Sequence, residues 1–261
     1  MPSIYAHYRF GSQLLPDLPA DIRRCIQRFR RLYNMGLQGP DFFFFYRLGI
    51  STDIGKLGHE LHYETGDAFF SRICARLAET PNEAAAAYLY GLLAHYCLDS
   101  LCHPYVHEQT DEGPLLHNEM ETEFDRYLLT LDGFELPHTY RRATHMKLTR
   151  GEYATVALFY PPATGPQVRE AIVTMALISD LLTCKNNTHR YLAQFILKKM
   201  GGQHPGLLMP TRPNSKCTHL NDELLARYQQ ALTRYGAMLD QLRDHMTHRT
   251  PLGKEFTAIF G

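Results

Sequence analysis

The chain contains no tryptophan, no CxxC pair and no His-Asp dipeptide. It also has no apolar run near the ~20 residues that a helical bilayer span requires; the most apolar stretches, DFFFFYRLGI at 41–50 and VTMALISDLL at 173–182, fall well short. The opening MPSIYAHYRFGSQLLPDLP lacks a basic segment followed by a long apolar one, so a secretory signal is not expected and a cytoplasmic protein is. Net charge is missing as well: Lys+Arg and Asp+Glu both total 27. A neutral chain exerts no general pull on nucleic acid or anionic membrane, so no stable nucleic-acid partner is expected, although net charge says nothing about local patches. The six cysteines, at 25, 74, 97, 102, 184 and 217, are scattered and read as mostly reduced, buried thiols. Without an HD pair, a phosphohydrolase built on adjacent His and Asp ligands is disfavoured.

Alternating β-branched segments are nearly absent too, and helix signals take their place, giving an all-α expectation. At 261 residues the chain is long enough to bury a substantial core as one domain spanning 1–261. Within it we expect a metal-binding core at about 1–135 and additional helices at about 140–261. Ile22, Ile26, Phe29 and Tyr33 fall at helical spacing and predict a helix over 17–34; others are predicted over 53–61 and 67–78. Asn82 is a good N-cap for EAAAAYLYGLLAHYCLDSLC, a segment so apolar that it belongs inside the core. Residues 115–131 predict an amphipathic helix ending near Gly133, and the Gly/Pro-punctuated stretch 150–166 reads as a loop. Two long helices, 166–200 and 219–248, follow on either side of GGQHPGLLMPTRPNS.

Fourteen histidines is roughly twice what average composition gives. Three potential ligands, His95, Asp99 and His103, stand at i, i+4 and i+8. On a helix, neighbours in that series lie ~6 Å apart along one face, and the outer two ~12 Å apart. Zinc–ligand bonds are ~2 Å, so one ion cannot hold both ends; the run implies at least two metals with Asp99 free to bridge. Pro104 predicts that His103 sits at the helix end, because the residue before proline avoids α geometry. His117 and Glu121 form a second i, i+4 pair, and with His103 they make a three-ligand site with an open position, as catalytic zinc requires. His59, His62, Asp41 and His7 are available to complete the other site. A carboxylate in an alanine- and leucine-rich helix, with no Lys or Arg within a turn, needs a cationic partner.

These residues resemble the bacterial zinc-dependent phospholipase C family over about 1–130: His7, the GPD turn ending at Asp41, the GH at His59, HYCLDSLCH at 95–103 and HNEME at 117–121. The resemblance implies a multi-helix bundle of the phospholipase C and P1 nuclease type. It also implies a zinc-dependent phosphodiester hydrolase whose substrate carries a phospholipid-type headgroup. It assigns His59, His95 and Asp99 to a first zinc, and His103, His117 and Glu121 to a second. Asp99 would bridge to a third zinc shared with His7 and the chain's amino terminus, and Asp41 would be a ligand or general base. His62 competes with His59, which is preferred because it follows the glycine. The family's secreted enzymes begin with a metal-binding tryptophan, whereas this chain begins Met1-Pro2, so two or three zincs are expected, two of them tightly held. Cys97 and Cys102 point off the ligand face and read as buried thiols. Phe42 to Tyr46 reads as core, His107 and Glu108 as a solvated loop, and the histidines beyond 130 show no site spacing. Two other functions remain open at this point: a single-strand nuclease of the S1/P1 kind, and a non-catalytic, metal-stabilised helical binding domain.

Overall fold

The computed structural model describes residues 4–260 apart from 112, 114 and 201–203. Eleven α-helices and no strand occur among these residues, so the protein is all-α. In chain order they are α1 (Ile4–Leu14), α2 (Ala20–Arg28), α3 (Arg30–Gly36), α4 (Asp53–His62), α5 (Gly66–Glu79) and α6 (Glu83–Thr110). They continue with α7 (His117–Leu131), α8 (Arg150–Ala157), α9 (Gly165–Leu181), α10 (Asn187–Met200) and α11 (Thr218–His248).

The organising element is α6. Asn82 caps it as expected, its side-chain oxygen accepting from the backbone N–H groups of Ala84 (2.9 Å) and Ala85 (3.4 Å). Every residue from Gly91 to Ser100 is buried, as a helix with apolar residues on all faces demands. Around it pack α1, α2, α3, α7, α8 and α11, and one continuous hydrophobic cluster runs from Ile4 to Phe260.

Helices α3 and α6 approach closely where Gly36 and Gly91 face each other. A Cβ on Gly91 would overlap the Tyr33 carbonyl oxygen, and one on Gly36 the Tyr88 carbonyl oxygen. Gly91→Ala should gain about 1 kcal/mol of helix propensity and lose about 3 kcal/mol to overpacking against a backbone that cannot rotate away. The expected result is a net loss of about 2 kcal/mol, read as a lower denaturant midpoint.

Four expectations for the chain's course are corrected. The predicted 17–34 helix is two helices with a break at Phe29 (φ −118°, ψ 41°), and that bend lays Leu32, Tyr33 and Met35 into the core. Pro104 does not end α6, which runs on to Thr110 and keeps His103 inside the helix. Tertiary packing on the surrounding helices outweighs the bias of a residue before proline, which is a preference rather than a prohibition. The 150–166 stretch holds α8, nucleated by a capping box: Thr149 Oγ1 accepts from the Glu152 N–H (3.4 Å) and the Glu152 carboxylate accepts from the Thr149 N–H (2.6 Å). The predicted 166–200 helix is interrupted between α9 and α10, where the Asn186 side chain accepts from the His189 N–H (2.8 Å) and starts a new helix.

Candidate metal centre

Five elements deliver side chains to one region beside α6. His95, Asp99 and His103 project from α6, His7 from α1, Asp41 from the 3-10 turn Asp41–Phe45, His62 from α4, and His117 and Glu121 from α7. The GPD turn has a physical reason. Gly39 has φ +52°, and a Cβ there would overlap the His95 imidazole, so the chain can cross above His95 and present Asp41 only with glycine at that position.

The donors gather into two sets, His7/His95/Asp99 and His103/His117/Glu121, with ligand atoms in each within 4.8 Å of one another. The split agrees with the distance argument that His95 and His103 cannot serve one ion. Asp99 stands between the sets: Oδ1 lies 3.0 Å from His7 Nε2 and 3.8 Å from His103 Nε2, and Oδ2 lies 3.0 Å from His95 Nε2. Each of these three partners is an imidazole. In the second set, Glu121 Oε1 is 3.1 Å from His103 Nε2 and 3.2 Å from His117 Nε2.

Asp41 and His62 adjoin the first set. His62 Nδ1–H donates to the Gly58 carbonyl one turn earlier (2.6 Å), which turns Nε2 toward Asp41 Oδ1 at 3.0 Å. Histidines that bind metal through one ring nitrogen characteristically anchor the other this way. Asp41 Oδ1 is also 4.0 Å from His95 Nε2. His59, by contrast, is exposed and joins neither set; its ring packs edge-on against Phe44 with centroids 4.8 Å apart. His62 occupies the place beside Asp41 and His95. Met1, whose amine the resemblance offers as a ligand, lies outside the described residues.

The charges are arranged for cations. Burial works to raise the Asp99 pKa, but His103, His95 and His7 outweigh it and hold the carboxyl well below its usual range. Asp41 is likewise lowered against its burial by His95 and His62. Burial drives His95 down to about 4, leaving a neutral ring, whereas Asp99 and Glu121 overcome burial at His103 and lift it to about 9. Neither His95 Nε2 nor Asp99 Oδ2 has a hydrogen-bond partner despite their 3.0 Å separation. A neutral imidazole nitrogen and a carboxylate oxygen buried face to face suit a shared cation. Zinc bonds of 2.0–2.1 Å in a tetrahedron put ligand atoms about 3.3 Å apart, close to the 3.0–3.2 Å between carboxylate and imidazole atoms within both sets. The residues therefore fit zinc.

Asp125, which the sequence reading passed over, continues the α7 series His117, Glu121 by another four residues. Its carboxylate accepts from the backbone N–H groups of Tyr5 (3.1 Å) and Ala6 (2.8 Å), tying down the start of α1 just before His7. Burial pushes its pKa up to about 6 even with Arg142 3.7 Å away. The i, i+4, i+8 repeat was the available signal.

A cleft of about 790 Å³ adjoins the donors, with His62, His103 and His117 in its lining beside Phe44 and Phe45. Much of the remaining wall is aliphatic and comes from α9 and α10, including Ile178, Leu181, Leu192 and Ile196. Phe42, Phe43, Phe45 and Tyr46 are core, as expected, while half-buried Phe44 reaches the cleft. His107 is not in a loop: it lies in α6, its ring 5.0 Å from that of His117, and it lines the cleft with His189 and His204. Distant histidines meet here without any shared sequence spacing. The described cysteines are all free thiols, and Cys97 Sγ–H donates to the Ala231 carbonyl, away from the ligand face.

A family model described as zinc dependent phospholipase C matches residues 6–159. No curated protein and no solved structure matches the chain.

Proposed function

Since the chain belongs to the zinc-dependent phospholipase C family, we propose that it hydrolyses a phosphodiester with a phospholipid-type headgroup, using two or three zincs held at the α6 donors. The observation that carries this reading is the pairing of two donor sets through Asp99 with a cleft whose far residues are aliphatic. His7, His95 and Asp99, with Asp41 and His62 beside them, form one part of the centre, and His103, His117 and Glu121 the other. The resemblance gave the place beside His95 to His59; we assign it to His62 on the 3.0 Å contact with Asp41.

Bound there, zinc would supply Lewis acidity toward phosphoryl oxygens and lower the pKa of water toward ~7. The chain's own residues do the rest. Asp41 is held below its usual range despite its burial, so it is ionised and available to take a proton from the attacking water. Asp99 faces Nε2 of His7 and His95 at 3.0 Å, and Glu121 faces Nε2 of His103 and His117 at 3.1 and 3.2 Å, so Nε2 is the nitrogen these histidines would present to zinc. The aliphatic wall accommodates the leaving group's hydrocarbon portion and limits water around the phosphate. Hydrolysis then adds water across the P–O bond to the leaving alcohol, releasing a phosphomonoester headgroup and that alcohol. A base-stacking groove with cationic lining, which a single-strand nuclease favours, is not what this aliphatic wall offers.

The test is a substrate panel with added zinc. Release of a phosphorylated headgroup from phosphatidylcholine, abolished by chelation, is the expected outcome. Cleavage of single-stranded DNA alone, or silence on every phosphodiester, would overturn the reading.

A further inference from the structure

Helix α10 buries only a narrow strip. Ala193 and Leu197 pack with Leu182, Cys184 and Leu208 in a small cluster separate from the main core. The opposite arc carries Tyr191 (73% exposed), Leu192 (58%), Phe195 (61%) and Ile196 (47%). At 100° per residue these four span an arc of about 140°. The end of α9 adds Leu177 and Leu181, also exposed. Soluble proteins scatter such residues singly, and an apolar group this dense marks a contact surface.

Two observations identify what it contacts. The first is continuity with the cleft: Leu181, Leu192 and Ile196 are exposed and line it at once, as do Leu48 and Tyr63 from elsewhere on its rim. Whatever covers this surface therefore also covers the way into the metal centre. The second is charge. Residues 187–200 contain Arg190, Lys198 and Lys199 and no Asp or Glu, in a chain whose overall charge is zero. Lys199 Nζ lies over the Phe195 ring, 5.7 Å from its centroid, which puts a cation on the apolar arc itself. On the same 100° spacing Lys198 borders this arc and Lys199 stands within it, while Arg190 turns toward the buried side; aromatic and aliphatic residues mixed with lysine are the signature of a helix lying in the headgroup region of a membrane.

We infer that the α9–α10 face docks on a phospholipid bilayer, setting the cleft mouth against the lipid surface. Both helices follow residue 159, beyond the stretch that the family model matches. The choice of lipid rests on the phospholipase reading, but docking is read separately from turnover.

The experiment is flotation of the full chain with vesicles of phosphatidylcholine, alone and mixed with phosphatidylglycerol. Wild type is expected to float, more strongly with phosphatidylglycerol. Tyr191→Ser/Phe195→Ser, at exposed positions outside the cleft lining, is expected to weaken binding to both vesicles by about tenfold or more. Lys198→Glu/Lys199→Glu should remove only the gain from anionic lipid. Both variants should keep wild-type turnover of a short-chain, monomeric phosphatidylcholine, which also shows that they fold. Wild type that stays unbound, or variants that float as it does, would overturn the docking surface. A dimer that the serine variant disperses, without flotation, would give the face to a second copy and equally overturn it. Flotation without lipid hydrolysis sinks the hydrolase reading alone.

Discussion

Asp99→Asn is expected to strip zinc from the protein and lower phosphodiester hydrolysis by more than about 100-fold, since losing even an outer-shell partner costs about 10–100-fold in affinity or activity. Asp99 is the group on which both donor sets converge, within 3.0 Å of His7 and His95 and 3.8 Å of His103. Asparagine keeps the volume and loses the charge, so the variant asks about electrostatics rather than packing. Its side-chain nitrogen would also point a donor into a space where a cation is needed. Zinc content and activity should fall together while the helical circular dichroism stays near that of wild type. A variant that keeps full zinc and rate would show that Asp99 is only a partner for buried histidines.

The second large effect is a contrast between neighbours. His62→Ala should lose zinc from the first site and at least about 10-fold in rate, because its ring is anchored at Gly58 and aimed at Asp41. His59→Ala should retain its zinc and fold, because the ring is exposed and touches only Phe44 in the aromatic packing described above. Elemental analysis of the two proteins side by side reads the difference. The opposite pattern, zinc lost with His59 and kept without His62, would restore the assignment made from the glycine spacing.

That contrast shows where the sequence is informative. Both i, i+4 pairs were legible because their geometry is intrahelical: a helix of this apolar character fixes the relative positions of His95, Asp99 and His103 whatever surrounds it. The need for a cation at Asp99 was legible from the same segment, since a carboxylate without a nearby Lys or Arg cannot sit in a core unpaired. Choosing between His59 and His62 was a different matter. They lie on the same helix three residues apart, and our assignment of His62 rests on the position of Asp41, set by the Gly39 turn against His95, which the sequence does not give. The cleft histidines 107, 189 and 204 converge through tertiary packing alone.

The fold behaves similarly. The core helix and its cap were readable from alanine content and Asn82, while boundaries near Pro104 and Phe29 depended on packing that local preferences do not encode; the break at Asn186 carried a local cap signal that the apolar pattern around it masked. The loop expected over 150–166 gave its two glycines and three prolines more weight than the Thr149–Glu152 capping box, which is a specific helix start.

The most direct test is the zinc content of the full chain purified without added metal or chelator, measured by elemental analysis against protein concentration. The two donor sets joined at Asp99 lead us to expect at least two zincs per chain, displaced together with activity by a strong chelator and restored together by zinc. A chain that carries no stoichiometric zinc and binds none on titration would contradict the metal centre itself.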